Sequence, residues 1–228
     1  MARSASPAVR ATAIEELHAL LKADLADETP LRYQSANPVH WRVARLASAV
    51  TASTGEAPFQ HPSTRRVDTR AVERFRAEIG RLAAADNGLG GGHDRAVLVN
   101  FLIANAKRLT RGDYSDQVGR ALFSAIAEAN LLLTWMTFDV APASALTQKY
   151  STYARQLAHR ADNRLLEATV FATMGRQAHY LGVTYEATEL GAAARQRTLD
   201  DDPPCIRLFD ESKPVPWRLM LKTVCGYP

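Results

Sequence analysis

The sequence predicts an all-α chain of about eight helices arranged as helical hairpin repeats, followed by an irregular C-terminal tail. Three observations predict it. Of eleven prolines only Pro142 falls between positions 63 and 202, so the middle of the chain can run as nearly continuous helix. That stretch has no alternating β-branched runs bounded by turns. Its apolar residues instead recur at spacings of three and four. The 228 residues, 46% hydrophobic and 23% charged, suit one globular domain, or one domain plus a small appendage, and argue against a disordered tail protein.

The elements follow in order. Residues 8–26 read as an amphipathic helix with Ile14, Leu17, Leu21 and Leu25 on one face, stopped by Asp27-Glu28-Thr29-Pro30. Residues 39–51 read as a second helix around Trp41, Val43, Leu46 and Val50, and 52–66 as a linker. Asp68-Thr69 can cap a third helix to about Ala85, with Val72, Phe75, Ile79 and Leu82 inward. The run from Asp86 to Gly92 reads as a loop. A fourth helix spans His93 to Leu109, with Val97, Phe101 and Ala104 inward, and Arg111-Gly112-Asp113 turns the chain. A long fifth helix starts at Tyr114 or Ser115 and ends near Asp139. Pro142 suits the first turn of a sixth helix, which runs to about Ala161 and buries Leu146, Tyr150, Tyr153 and Leu157. After Asp162-Asn163 a seventh helix ends at Gly182, and an eighth spans Thr184 to about Arg197. Three regions result: N-terminal helices and linker (1–62), a repeat domain (63–199) and a Pro-rich tail (200–228).

Composition narrows the function classes. No apolar run reaches the roughly 20 residues of a membrane helix, since residues 121–140 include Ser124, Glu128, Asn130, Thr134 and Asp139. Met1 to Ala5 lacks an apolar leader, so a cytoplasmic chain without membrane contact is expected. Arginine outnumbers lysine 23 to 5, and there are 39 alanines. The net charge of +4 is spread along the chain: 0 over 1–62, +2 over 63–139, +3 over 140–199 and −1 over 200–228. Only Arg65, Arg66, Arg70, Arg74 and Arg76 cluster. They form a solvated helix face or, in the alternative, a set of phosphate contacts at Arg65, Arg66, Arg70 and Arg74.

The internal repeat is the strongest signal. Phe171, Met174, Gly175, Ala178, Gly182, Ala187, Gly191 and Ala194 follow the large and small pattern of a tetratricopeptide unit, a helix–turn–helix of about 34 residues. Residues 115–161 read as a degenerate copy about 40 residues upstream. Ala154 there matches Ala194, Thr147 matches Ala187, and Trp135 stands where a small residue belongs.

A set of ordered segments also resembles a known family. These are Asp86 to His93, Arg111 to Ser115, Val118 to Phe123, Trp135-Met136 with Phe138-Asp139, and Tyr180-Leu181-Gly182 before Glu186-Ala187. Together they resemble the C-terminal tetratricopeptide-like region of actinobacterial Xre-type helix-turn-helix transcriptional regulators, over about residues 65–197. The resemblance implies a cytoplasmic, non-enzymatic sensor or interaction domain. The DNA-binding domain of that family is not recognisable here. Residues 1–62 offer two helices separated by Pro30 and Pro38, not a helix, tight turn and recognition helix. Further repeats common in the family are also missing after Asp200, so a truncated or frame-altered regulator is a third reading.

No constellation points to catalysis. Gly90-Gly91-Gly92 is not a phosphate loop, because His93-Asp94 follows rather than Lys-Ser/Thr. His18, His40, His61, His93, His159 and His179 include no i, i+4 zinc pair, and Cys205 and Cys225 lack a CxxC. No nucleophile-elbow motif is present. The expected protein is therefore non-enzymatic, with no metal and no cofactor. In a tetratricopeptide stack the first helix of each unit lines the groove. That places Thr169, Arg176 and His179 there, with Arg176 able to fork onto a carboxylate and His179 a donor whose charge varies near neutral pH. Asn130 lies among apolar residues of the fifth helix and needs a partner if buried. The expected partner is a protein, a peptide, a small signal or a second copy of the chain; the alternative is DNA.

Overall fold

The computed structural model describes residues 7–26, 66–89, 94–142 and 144–198. These residues form seven helices and no extended strand; the one β-bridge pairs Arg66 with Asp113. The helices are α1 (Pro7–Ala26), α2 (Thr69–Leu89), α3 (Arg95–Thr110), α4 (Asp116–Val140), α5 (Ala145–Arg160), α6 (Arg164–Tyr180) and α7 (Thr184–Arg195). The predicted second helix, residues 52–65 of the linker, the Gly90–Gly92 loop, His93 and the tail 200–228 lie outside the described residues.

Local chemistry sets the boundaries. Side-chain oxygens of Ser115, Ser144 and Asn163 accept from the N–H groups of Val118, Leu146 and Leu166 and so start α4, α5 and α6. The α5–α6 and α6–α7 turns close in the same way. Asn163 N–H reaches back to Ala158 O and Val183 N–H to Ala178 O, with Asp162 at φ 54° and Gly182 at φ 77°. A Cβ added at Gly182 would meet nothing within 4 Å, so its backbone angle alone accounts for the glycine.

Helix α4 is the axis of the molecule. It packs against α2, α3, α5 and α6, while α5 pairs with α6, α6 with α7, and α1 with α3 and α5. Leu122, Ile126, Leu131, Leu132, Leu133 and Met136 of α4 are fully buried. By length and apolar composition α4 is able to cross a membrane, but 89% of its most apolar window is buried inside the fold. Gly175 lets α6 and α7 approach: an added Cβ would lie 3.3 Å from Ala187 O and 3.5 Å from Gly191 N. Ala178, Ala187, Gly191 and Ala194, the small positions of the pattern, are all buried around this contact.

Four local expectations are corrected. First, α1 buries Ile14, Leu17 and Leu21 but leaves Leu25 46% exposed. The inward face continues instead through Asp24, three residues after Leu21. Second, α2 does not stop near Ala85 but runs to Leu89, because Asp86, one turn past Leu82, also points into the interior. Third, the buried face of α3 is Leu98, Val99, Leu102, Ala106 and Leu109. Val97 is 47% exposed and Ala104 exposed. An apolar residue stands on either side of the true face, so spacing alone selected a neighbouring stripe. Fourth, Pro142 precedes the fifth described helix rather than entering its first turn, and Ser144 provides the cap.

Candidate functional site

The first helices of the two C-terminal hairpins, α4 and α6, lie side by side and point the same way. Three contacts fix their register. Asn163 Nδ2 donates to Ser124 Oγ at 2.9 Å. The Arg176 guanidinium lies 5.8 Å from the Trp135 ring centroid. Phe138 and Tyr180 meet edge-on at 5.2 Å. Paired positions are therefore 39 to 42 residues apart along the whole interface.

The four groove residues expected from the sequence divide into two environments. Thr169 is buried, and its hydroxyl donates to Leu165 O at 2.9 Å. Asn130 is also buried; its Nδ2 donates to Ile126 O of its own helix at 2.8 Å, and its Oδ1 has no partner among the described residues. Arg176 is partly buried against Trp135, and burial lowers its pKa. His179 is exposed, beside Tyr180, which is 66% exposed. The surface of this site is thus the C-terminal end of α6, with Thr169 and Asn130 beneath it in the interior.

Two residues join the buried set that spacing did not single out. Thr173 and Gln177 follow Thr169 at i+4 and i+8, which places all three on one face of α6. Both are buried, and neither the Thr173 hydroxyl nor either polar atom of the Gln177 amide has a partner among the described residues. A polar stripe of this period in an otherwise apolar helix was readable in the sequence.

Two buried ionic clusters hold the frame around this site. In the first, Arg95 Nη2 donates to Asp24 Oδ2 at 2.5 Å and Arg95 Nε to Thr137 Oγ1 at 3.0 Å. The Tyr150 hydroxyl donates to the same carboxylate oxygen, tying α1, α3, α4 and α5 together. Burial first, and the Asp24 charge second, push the Tyr150 pKa up. In the second, Glu167 of α6 lies 3.3 Å from Arg197 Nε, 3.5 Å from His159 Nδ1 and 3.9 Å from Arg155 Nη1. The Phe171 ring has Arg197 at 4.4 Å and Arg155 at 5.8 Å. Desolvation raises the Glu167 pKa, but His159 and Arg197 outweigh it and the net shift is downward. Glu167 in turn holds the His159 pKa above its ordinary value.

Of the candidate phosphate contacts, Arg66, Arg70 and Arg74 are exposed, and Arg65 lies outside the described residues. Arg76 of the same run turns inward to Glu128, donating through Nε at 3.1 Å and Nη2 at 2.9 Å. Among the described residues no group of three His, Cys, Asp or Glu side chains could hold a metal ion. Comparison with known protein families, with curated proteins and with solved structures finds no match to this chain.

Proposed function

We propose that the chain is a non-enzymatic, tetratricopeptide-like regulatory module, akin to the C-terminal region of Xre-type transcriptional regulators, that binds a protein, a peptide or a small signal. The observation that carries this reading is the parallel packing of α4 and α6 at an offset near 40 residues. Two successive hairpins stacked in that manner present their first helices to one groove. In this reading Arg176 and His179 line its open end; His179 and Tyr180 are exposed and Arg176 is partly buried. An arginine and an aromatic ring are side chains that binding surfaces favour.

The test is affinity capture on the immobilised full chain, followed by titration of the captured partner against wild type and the Arg176→Ala/His179→Ala double variant. A clear loss of affinity in the variant is expected. Equal affinity removes the groove assignment. A second reading, DNA binding, is favoured only by the exposed Arg66, Arg70 and Arg74. A gel-shift titration over salt decides it, because phosphate contacts require affinity to fall steeply as salt rises. Absence of binding at low salt removes this reading.

A further inference from the structure

Helices α5 and α6 run antiparallel on either side of the turn at 161–163. Arg155 and His159 of α5 meet Glu167 of α6 at 3.9 Å and 3.5 Å. That register sets two pairs level near the turn, Ala158 with Leu166 and Ala154 with Val170. Beyond them it sets Ser151 level with Thr173, and Thr147 level with Gln177. In each helix these positions are spaced by four, three and four, so they share one face. All of them are buried. The seam between the two helices is therefore apolar in the half next to the turn and polar in the half away from it.

The polar half is poorly joined. Among the described residues the hydroxyls of Thr147 and Thr173 and both polar atoms of the Gln177 amide have no hydrogen-bond partner. Ser151 donates to Gln148 O of its own helix at 3.0 Å. Buried polar groups in this state gain hydrogen bonds when water reaches them, so this half parts at lower cost than an apolar seam. The other side of α6 is apolar and close-packed. Phe171, Ala178, Leu190 and Ala194 are buried there, and Gly175 admits α7 at short range. Arg164 at the start of α6 donates to Arg197 O beyond the end of α7, so the two helices form one body. The turn end of that body is anchored, with Asn163 N–H on Ala158 O at 3.0 Å and Asn163 Nδ2 on Ser124 Oγ at 2.9 Å. Its far end meets α4 through Tyr180, which is 66% exposed, and the partly buried Arg176.

We propose that the α6–α7 hairpin pivots about the turn at 161–163 and opens the α5–α6 seam at its Thr147–Gln177 end. No helix has to unwind for this motion. The Glu167 cluster lies level with the apolar half, so it stays closed while the far end parts. Water entering the opened end supplies the bonds that Thr147, Thr173 and Gln177 lack in the closed state. The opening end is also the end of α6 that carries Arg176 and His179. Each excursion therefore shifts Arg176 against Trp135 of α4. The pivot rests on the packing alone and does not depend on which partner, if any, this surface binds.

The experiment times the reaction of methyl methanethiosulfonate with single buried thiols, read by mass, in the full chain carrying Cys205→Ser and Cys225→Ser. Thr147→Cys and Thr173→Cys probe the opening end, and Ala154→Cys probes the half near the turn. Ala129→Cys, at a fully buried position of α4, reports global unfolding. Thiols at 147 and 173 should label about tenfold faster or more than those at 154 and 129, with little dependence on urea. Adding Gln177→Leu to the Thr173→Cys chain should slow its labelling, because an apolar side chain gains nothing from water. Equal rates at 147, 173 and 129 overturn the proposal. Equal rates at 154 and 173 also overturn it, because α6 then unfolds rather than pivots. If the buried thiols disturb folding, spin labels on Lys149→Cys and Thr184→Cys, both exposed positions, decide the matter. A second population at longer distance supports the pivot, and a single distance overturns it.

Discussion

Glu167 is enclosed by Arg155, Arg197 and His159, and two of these four groups titrate in an accessible range. The folded pKa of Glu167 is lowered, so its contribution is present above its ordinary carboxylate value and lost as pH falls through the folded one. That of His159 is raised, so its contribution is full below its ordinary value of about 6.5 and lost as pH rises through the folded one. Thermal stability should therefore peak between about pH 5 and 6.5 as far as this cluster governs it. His159→Gln should flatten the alkaline limb of the melting temperature against pH and also make the acid limb shallower, because His159 helps to hold the Glu167 pKa down. The His159 side chain is 47% exposed, which keeps the effect modest. The sequence did not reveal this cluster, because its members come from α5, α6 and the turn after α7 and share no spacing. That Arg176 and His179 reach the surface is legible in the sequence because a helix face is a local property; that Thr169 and Asn130 are buried depends on how α4 meets α6.

At the scale of elements, the small residues of the last hairpin were legible because close approach of two helices leaves a compositional trace. Gly175→Val should overpack the α6–α7 contact, where Ala187 O already stands 3.3 Å from an added Cβ. A loss of about 1–3 kcal/mol on chemical denaturation is expected. Gly182→Ala tests backbone angle without crowding, since nothing lies within 4 Å. Holding alanine at φ 77° should cost about 1–2 kcal/mol, read from the shift in urea midpoint at unchanged slope. Helix caps at Ser115, Ser144 and Asn163 were only partly legible. The turn at Asp162-Asn163 is visible in the sequence, whereas Pro142 offers a competing helix start two residues before the Ser144 cap. The face of α3 was misread because Val97 and Phe101 satisfy the same periodicity as Leu98 and Leu102. Only the packing of α1 and α4 on the other side decides between them.

At the scale of the whole molecule, α1 is joined to a core built mainly from residues beyond position 66. Ile14, Leu17 and Leu21 belong to one hydrophobic cluster with α2 to α7. Asp24 is the charged end of that seam, with only 2% of its side chain exposed. Asp24→Ala would strand Arg95, which is 13% exposed, and should cost about 3–5 kcal/mol. A paired Asp24→Leu/Arg95→Met replacement should recover much of that loss, because two apolar side chains leave no buried charge behind. Recovery no better than the single variant would contradict an electrostatic account of the seam. An acidic residue three positions after Leu21, near the C-terminal end of a helix where its charge is disfavoured, was the sequence clue to this role. Its partners lay too far along the chain to be named.

That separation has a consequence during synthesis. Tyr150 follows Asp24 by 126 positions. At about 5–20 residues per second the ribosome delivers it roughly 6–25 s later. Within that interval Asp24 has at most Arg95, which follows it by 71 positions, and the apolar stripe of α1 stays incompletely covered until α5 arrives.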